Sequence, residues 1–158
     1  STGDGADSID MSAGGANTIV YTALAQSDAA GMDVITGFVS GSDDINLTGM
    51  TGQNVTTTTQ FGGVGATKTA AEGLLGGTNS AVAVFQADDN VLWVDIDGNQ
   101  QLTAADFRVQ LSGVFTIVAT DLGLGTTGNT ATLSAASNTS LLTSLIPRSV
   151  NLIIGGIA

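Results

Sequence analysis

The segment "TGDGADSID", Thr2 to Asp10, restricts the chain more than any other. It fits the nine-residue pattern G-G-x-G-x-D-x-U-x, with Gly3, Gly5, Asp7 and Ile9 in four of its five defined places and Thr2 where the first Gly usually stands. The pattern has a physical meaning. Glycines let the backbone turn tightly, so that carbonyl groups and the Asp carboxylate surround a calcium ion, and the apolar residue then points inward from a short strand. Ten residues after Ile9 comes Ile19, in "AGGANTIVY", a degraded second copy with Asn17 in the place of the Asp. Two copies are too few for a free-standing roll, which needs about three turns. The expectation is therefore the end of a parallel calcium β-roll, a β-solenoid, with Asp4, Asp7 and Asn17 as candidate ligands. Asp4 could equally be a solvated turn residue.

A second segment asks for a hard cation. "DIDGNQQLTAAD" sets oxygen-bearing groups at the first, third, fifth, seventh, ninth and twelfth positions: Asp95, Asp97, Asn99, the Gln101 carbonyl, Thr103 directly or through water, and Asp106. Leu102 at position eight is the inward anchor. The loop departs from an EF-hand, because Gly98 stands at position four, Gln100 occupies position six, and the exit reads as a strand from Phe107. An Asp at position twelve is shorter than the usual bidentate Glu, which places the affinity on the weak, extracellular side. The alternative is an Asp- and Asn-rich turn between two strands, with Thr103–Asp106 as a local cap.

Composition supports the cation. The chain has thirteen Asp, one Glu (Glu72) and only three cations, Lys68, Arg108 and Arg148, for a net charge of -11. So few cations argue against nucleic acid, whose phosphates need Lys and Arg. The absence of Cys and His excludes disulfides, thiol catalysis, the usual zinc sites and a serine–histidine triad. No nucleophile stands with a base, so the chain reads as a non-enzyme. A disulfide-free extracellular domain needs another staple, and calcium is one. No stretch reads as a secretory signal or a transmembrane segment.

Short β-branched runs between Gly, Asn and Asp make the fold all-β. Alternation predicts strands over Asn17–Tyr21, Asp33–Val39 and around Ile45 and Leu47, with a turn at Gly41–Asp44. Met50–Gly65 reads as a loop or edge strand. A short helix is predicted over Thr67–Leu75, with Ala70, Ala71, Leu74 and Leu75 on one side and Gly76–Gly77 ending it. A β-sandwich-like meander follows: Ala81–Phe85 and Val91–Val94 around "QADDN", then Phe107, Val109 and Leu111, then a further strand over Val114–Val118. Asp43–Asp44 and Asp88–Asp89 read as turn residues and Trp93 as core. The organisation is residues 1–124 as the calcium-binding roll end plus meander, and 125–158 as an apolar tail. In the tail, Leu141, Leu142, Leu145 and Ile146 have helical spacing, and Val150–Ile154 is a strand candidate, packed on the domain or used for assembly.

"GDGADSI", followed by "NTIVY", "DVITGFVSGSDDINLTGM" and "LWVDIDGN…ADFRVQLSGV", resembles the C-terminal calcium-binding region of RTX proteins, with the order found in serralysin-type metalloproteases. "AVAVFQADDNVLWVD" and "VQLSGVFTIVATDLGLG" look still more like the C-terminal end of RTX surface-layer proteins of Gram-negative bacteria. The resemblance covers Gly3 to Leu124. It implies one-step (type I) secretion and folding outside the cell once calcium is available. It also places Asp33 where related proteases put a late roll ligand; as a strand-start residue, Asp33 could equally be a solvated cap. The second repeat lacks its Asp, the Gln100–Ala105 loop is longer than in the proteases, and the tail has no counterpart. The leading expectation is an extracellular, calcium-stabilised structural protein that self-assembles into a homo-oligomer or polymer on the cell surface, as a surface layer or filament. The alternative is the C-terminal secretion and folding module of a secreted RTX hydrolase. A third reading is an adhesin that binds cell-surface polysaccharide through Ca²⁺.

Overall fold

The computed structural model describes residues 3–50, 55, 60–76 and 81–124. The predicted tail helix and strand, Gly77 and most of residues 51–59 lie outside the described residues.

Among the described residues, eight strands and one short α-helix follow in order: β1 (Ser8–Asp10), β2 (Thr18–Val20), β3 (Asp33–Thr36), β4 (Asp44–Asn46), β5 (Gln60–Gly65), α1 (Lys68–Glu72), β6 (Ala81–Gln86), β7 (Val91–Val94) and β8 (Phe107–Ser112). 3-10 turns at Leu24–Gln26, Thr48–Met50 and Ala119–Leu122 link or end them. The fold is all-β, as the short β-branched runs require. One sheet has six strands in the order β1-β3-β8-β7-β6-β5, and β2 and β4 form a second, two-stranded sheet.

The N-terminal strands alternate between the sheets. β1 pairs in parallel with β3, Ile9 opposite Ile35, and β2 pairs in parallel with β4, Ile19 opposite Ile45. The step is 26 residues in both, and Asp7 to Asp33 and Asn17 to Asp43 repeat it. At the start of each of the four strands therefore stand an acidic or amide residue, one intervening residue and an Ile: Asp7 and Ile9, Asn17 and Ile19, Asp33 and Ile35, Asp43 and Ile45. Ile35 and Ile45 are fully buried in one core, while Ile9 and Ile19 pack against its margin.

β6, β7 and β8 form the predicted antiparallel meander. It is no separate layer, however, because β8 also pairs in parallel with β3 and continues the sheet of β1. Alternation decides which side chains face which way. Ala83, Phe85, Leu92, Val94, Phe107, Val109 and Leu111 enter the main core. Val84, Val91 and Trp93 face the other side, where Ala71 and Leu75 of the α1 region and Leu102 cover them.

Two expectations need correction. Val114–Val118 is not a strand. Gly113, at φ 79°, turns the chain at the end of β8, the Val114 N–H donates back to the Leu111 carbonyl, and both edges of β8 are already paired. The predicted helix is also shorter, Lys68–Glu72. The Thr67 hydroxyl accepts from the Ala70 N–H at its start, and of the four residues expected on one side Ala70 is exposed.

Candidate metal centre

The β7–β8 connection is built from carboxylates that fold the backbone around themselves. Asp95, at the end of β7, is buried; its Oδ1 accepts from Gly98 N–H (2.8 Å) and its Oδ2 from Gln100 N–H (3.0 Å). Asp106, fully buried before β8, accepts from Ile96 N–H (3.0 Å) on Oδ1 and from Thr103 N–H (2.7 Å) and Oγ1 (3.1 Å) on Oδ2. Asp97 is exposed and accepts from Asn99 N–H (3.1 Å) and Nδ2 (2.8 Å). Each carboxylate thus closes its own turn, and the two ends of the loop are tied together through Ile96 and Asp106.

The result is a cluster. One carboxylate oxygen each from Asp95, Asp97 and Asp106 lie within 4.8 Å of one another. Burial raises the Asp95 carboxyl above its ordinary range against the pull of its two backbone donors, and the charge of Asp106 adds to the rise. A cation among the three oxygens would reverse that. The donors are all oxygen, which suits calcium rather than a soft metal.

Backbone geometry explains how a loop without Gly at position six closes. Gln100 takes φ 61° and Gly98 φ 72°, so Gln100 itself adopts the left-handed conformation a Gly would otherwise supply. Asn99 Oδ1 accepts from Gln101 N–H at 2.7 Å, and Thr103 Oγ1 accepts from Ala105 N–H at 3.1 Å. Asn99 and Gln101 are exposed at the loop surface and Thr103 is half-buried.

The N-terminal candidates are arranged differently. Asp33 is buried, and its carboxylate accepts from Asp7 N–H (2.8 Å) and from the Tyr21 hydroxyl (2.8 Å). Asp7 Oδ2 accepts from Gly3 N–H at 3.0 Å. Asn17 donates through both its backbone N–H and its Nδ2 to Asp43 Oδ1, each at 3.0 Å. Asp4 is exposed in the turn before β1. Among the described residues, Asp4, Asp7, Asn17 and Asp33 do not meet as a carboxylate cluster. Asp33 and Asp43 instead receive the backbone of the strand start 26 residues earlier and so hold each parallel pair, β1 with β3 and β2 with β4, in register.

The chain matches the peptidase M10 serralysin C-terminal family over residues 1–123. It belongs to that family. No curated protein matches the chain. The serralysin C-terminal span ends where the 3-10 turn Ala119–Leu122 closes at Gly123. Buried Asp121 fastens that turn to the β3–β4 connection, accepting from Ser40 Oγ (2.6 Å), Gly41 N–H (2.8 Å) and Val118 N–H (3.0 Å). The family is the C-terminal part of serralysin-type peptidases, and the described residues contain no helix long and apolar enough to cross a membrane.

Sequence reasoning missed three carboxylates. Asp43, taken for a turn residue, is buried, and its position 26 residues after Asn17 was the available signal. Asp121 gives no such periodic sign. Glu72, the lone Glu, accepts from Leu102 N–H at 3.0 Å and from Lys68 Nζ at 2.7 Å, bringing α1 against the acidic loop.

Proposed function

We propose that the chain is the calcium-stapled C-terminal folding and secretion module of an extracellular RTX-type protein, serving a secreted hydrolase. The observation that carries this reading is the convergence of Asp95, Asp97 and Asp106 within 4.8 Å at the foot of the β7–β8 hairpin, in a chain of the serralysin C-terminal family. Asp95, Asp97 and Asp106 would hold the ion, with Asn99, the Gln101 carbonyl and Thr103 completing the oxygen set. The bound ion supplies positive charge that offsets the repulsion of clustered carboxylates. β1 to β4 act as the last turns of a parallel β-roll, to which Asp4, Asp7, Asn17 and Asp33 belong. Two features support that. The alternation of strands between layers is regular, and a groove of about 770 Å³ opens at the β1/β2 end, where Ile9 and Ile19 lack the cover that Ile35 and Ile45 have. In a calcium-poor cytoplasm, a net charge of -11 keeps the chain extended and exportable, and millimolar calcium outside folds it.

The test is circular dichroism and light scattering of the purified chain, with calcium and with excess chelator. A folded monomer with calcium and a disordered chain without it is the expected result. Identical spectra in both would refute the proposal.

Among the described residues the outer edges of β1 and β2 carry no further strand, which also favours a second reading, self-assembly into a surface layer or filament, because such parallel edges are ready to continue into another chain. Ordered polymers in electron micrographs that appear only with calcium would select it. Calcium-dependent binding on a glycan array would instead select a polysaccharide-binding role.

A further inference from the structure

The helix α1 lies on the same side of the sheet as the acidic loop and reaches it through one carboxylate. Glu72 Oε1 accepts from Leu102 N–H at 3.0 Å, while Lys68, one turn earlier, donates to the same oxygen at 2.7 Å. Leu102 is 2% exposed and packs with Ala71 and Leu75. Gly76, after the helix, leaves room for the Gln100 side chain: a Cβ there would stand 2.7 Å from Gln100 Cδ. The loop is therefore gripped at Gln100 and at Leu102, on both sides of Gln101.

The peptide bond between Gln101 and Leu102 turns this contact into a constraint on the ion. The amide is planar and trans, so its N–H and C=O point in opposite directions. An N–H held toward Glu72 holds the Gln101 carbonyl on the opposite side, away from α1. The negative acceptor also polarises the amide and makes that carbonyl oxygen a better ligand. Lys68 balances the Glu72 charge, so the contact need not add to repulsion among Asp95, Asp97 and Asp106.

We propose that Glu72 is a positioning residue for calcium: through Leu102 N–H it fixes the Gln101 carbonyl as a ligand and couples occupancy of the loop to the seating of α1. The inference rests on the calcium reading of the loop. Glu72 does not touch the ion itself.

The experiment is a calcium titration of the full chain as wild type, Glu72→Ala, Glu72→Gln and Asp97→Asn, with amide hydrogen exchange of the wild type with and without calcium. Glu72→Ala weakens calcium by roughly tenfold or more, the usual effect of removing a partner that orients a ligand. Glu72→Gln retains an acceptor oxygen and stays near wild type, which a role in charge alone would not allow. Calcium slows exchange at Leu102 and in α1 of the wild type, a readout that stands even where Glu72→Ala fails to fold. Wild-type affinity in Glu72→Ala, or exchange at Leu102 and α1 indifferent to bound calcium, overturns the positioning role and leaves the calcium loop in place. If Asp97→Asn also leaves the titration unchanged, the loop is not the site and both readings fall.

Discussion

Replacing Tyr21 by Phe deletes a single oxygen at the point where the two layers meet. The Tyr21 ring is fully buried and meets Phe107 edge-on at 4.8 Å, contacts that Phe keeps. What disappears is the hydroxyl donor to Asp33 Oδ2 at 2.8 Å. Asp33 is itself completely buried and retains Asp7 N–H on its other oxygen. A hydrogen bond to a charged acceptor in such a place contributes about 2 kcal/mol. For a domain of this size the melting temperature then falls by roughly 7 °C. The loss depends on pH. Burial raises the Asp33 carboxyl, against the lowering effect of the Asp7 and Tyr21 donors. A carboxyl with a raised folded-state pKa favours the fold when protonated and loses that contribution as pH rises through the folded-state value. Tyr21 lessens the loss by supporting the charged form. The Tyr21→Phe penalty is therefore full at neutral pH and shrinks as pH falls through the Asp33 titration. Paired thermal melts in saturating calcium, at neutral and mildly acidic pH, measure it. Coincident melts at neutral pH, or a gap that widens on acidification, would refute the reasoning.

The two Ile pairs should separate by burial: Ile35→Ala or Ile45→Ala costs about 3 kcal/mol in denaturant unfolding, and the half-covered Ile9→Ala or Ile19→Ala roughly 1 kcal/mol. Equal losses would mean that the β1/β2 end is covered in solution. Gly65→Ala places a Cβ 2.2 Å from the Ala71 backbone nitrogen and pushes α1 off β5, lowering stability by about 2–3 kcal/mol in the same assay. Gln100→Gly relieves a left-handed φ of 61° and stabilises the calcium-loaded form by about 0.5–1 kcal/mol in thermal unfolding.

The convergence of carboxylates in the acidic loop was the most legible part of the chain, because their spacing is local and each carboxylate folds the residues next to it. The meander was legible too, since Phe107, Val109 and Leu111 alternate cleanly. The 26-residue step was harder to see. It joins Asp7 to Asp33 and Asn17 to Asp43 across a connection with its own 3-10 turn, so the repeat is kept in space while the intervening sequence differs. The parallel pairing of β3 with β8 has no sequence signature at all, because it depends on two hydrophobic edges meeting across 76 positions, as in Asp33 opposite Val109. Val114–Val118 shows the reverse failure: its apolar residues are strand formers, but the turn at Gly113 and the filled edges of β8 leave them no partner.

Trp93, the chain's one Trp, stands two residues before Asp95 on β7 and provides a local reporter for the loop. The most direct test of the account is terbium luminescence sensitised through Trp93, followed by competition with calcium, in the wild type and in Asp97→Asn. Asp97 is exposed, so its amide should leave the fold intact in excess calcium. The wild type gives a signal that calcium displaces and that Asp97→Asn loses or weakens by about tenfold or more. A signal of equal strength and affinity in both proteins would rule out calcium at this loop.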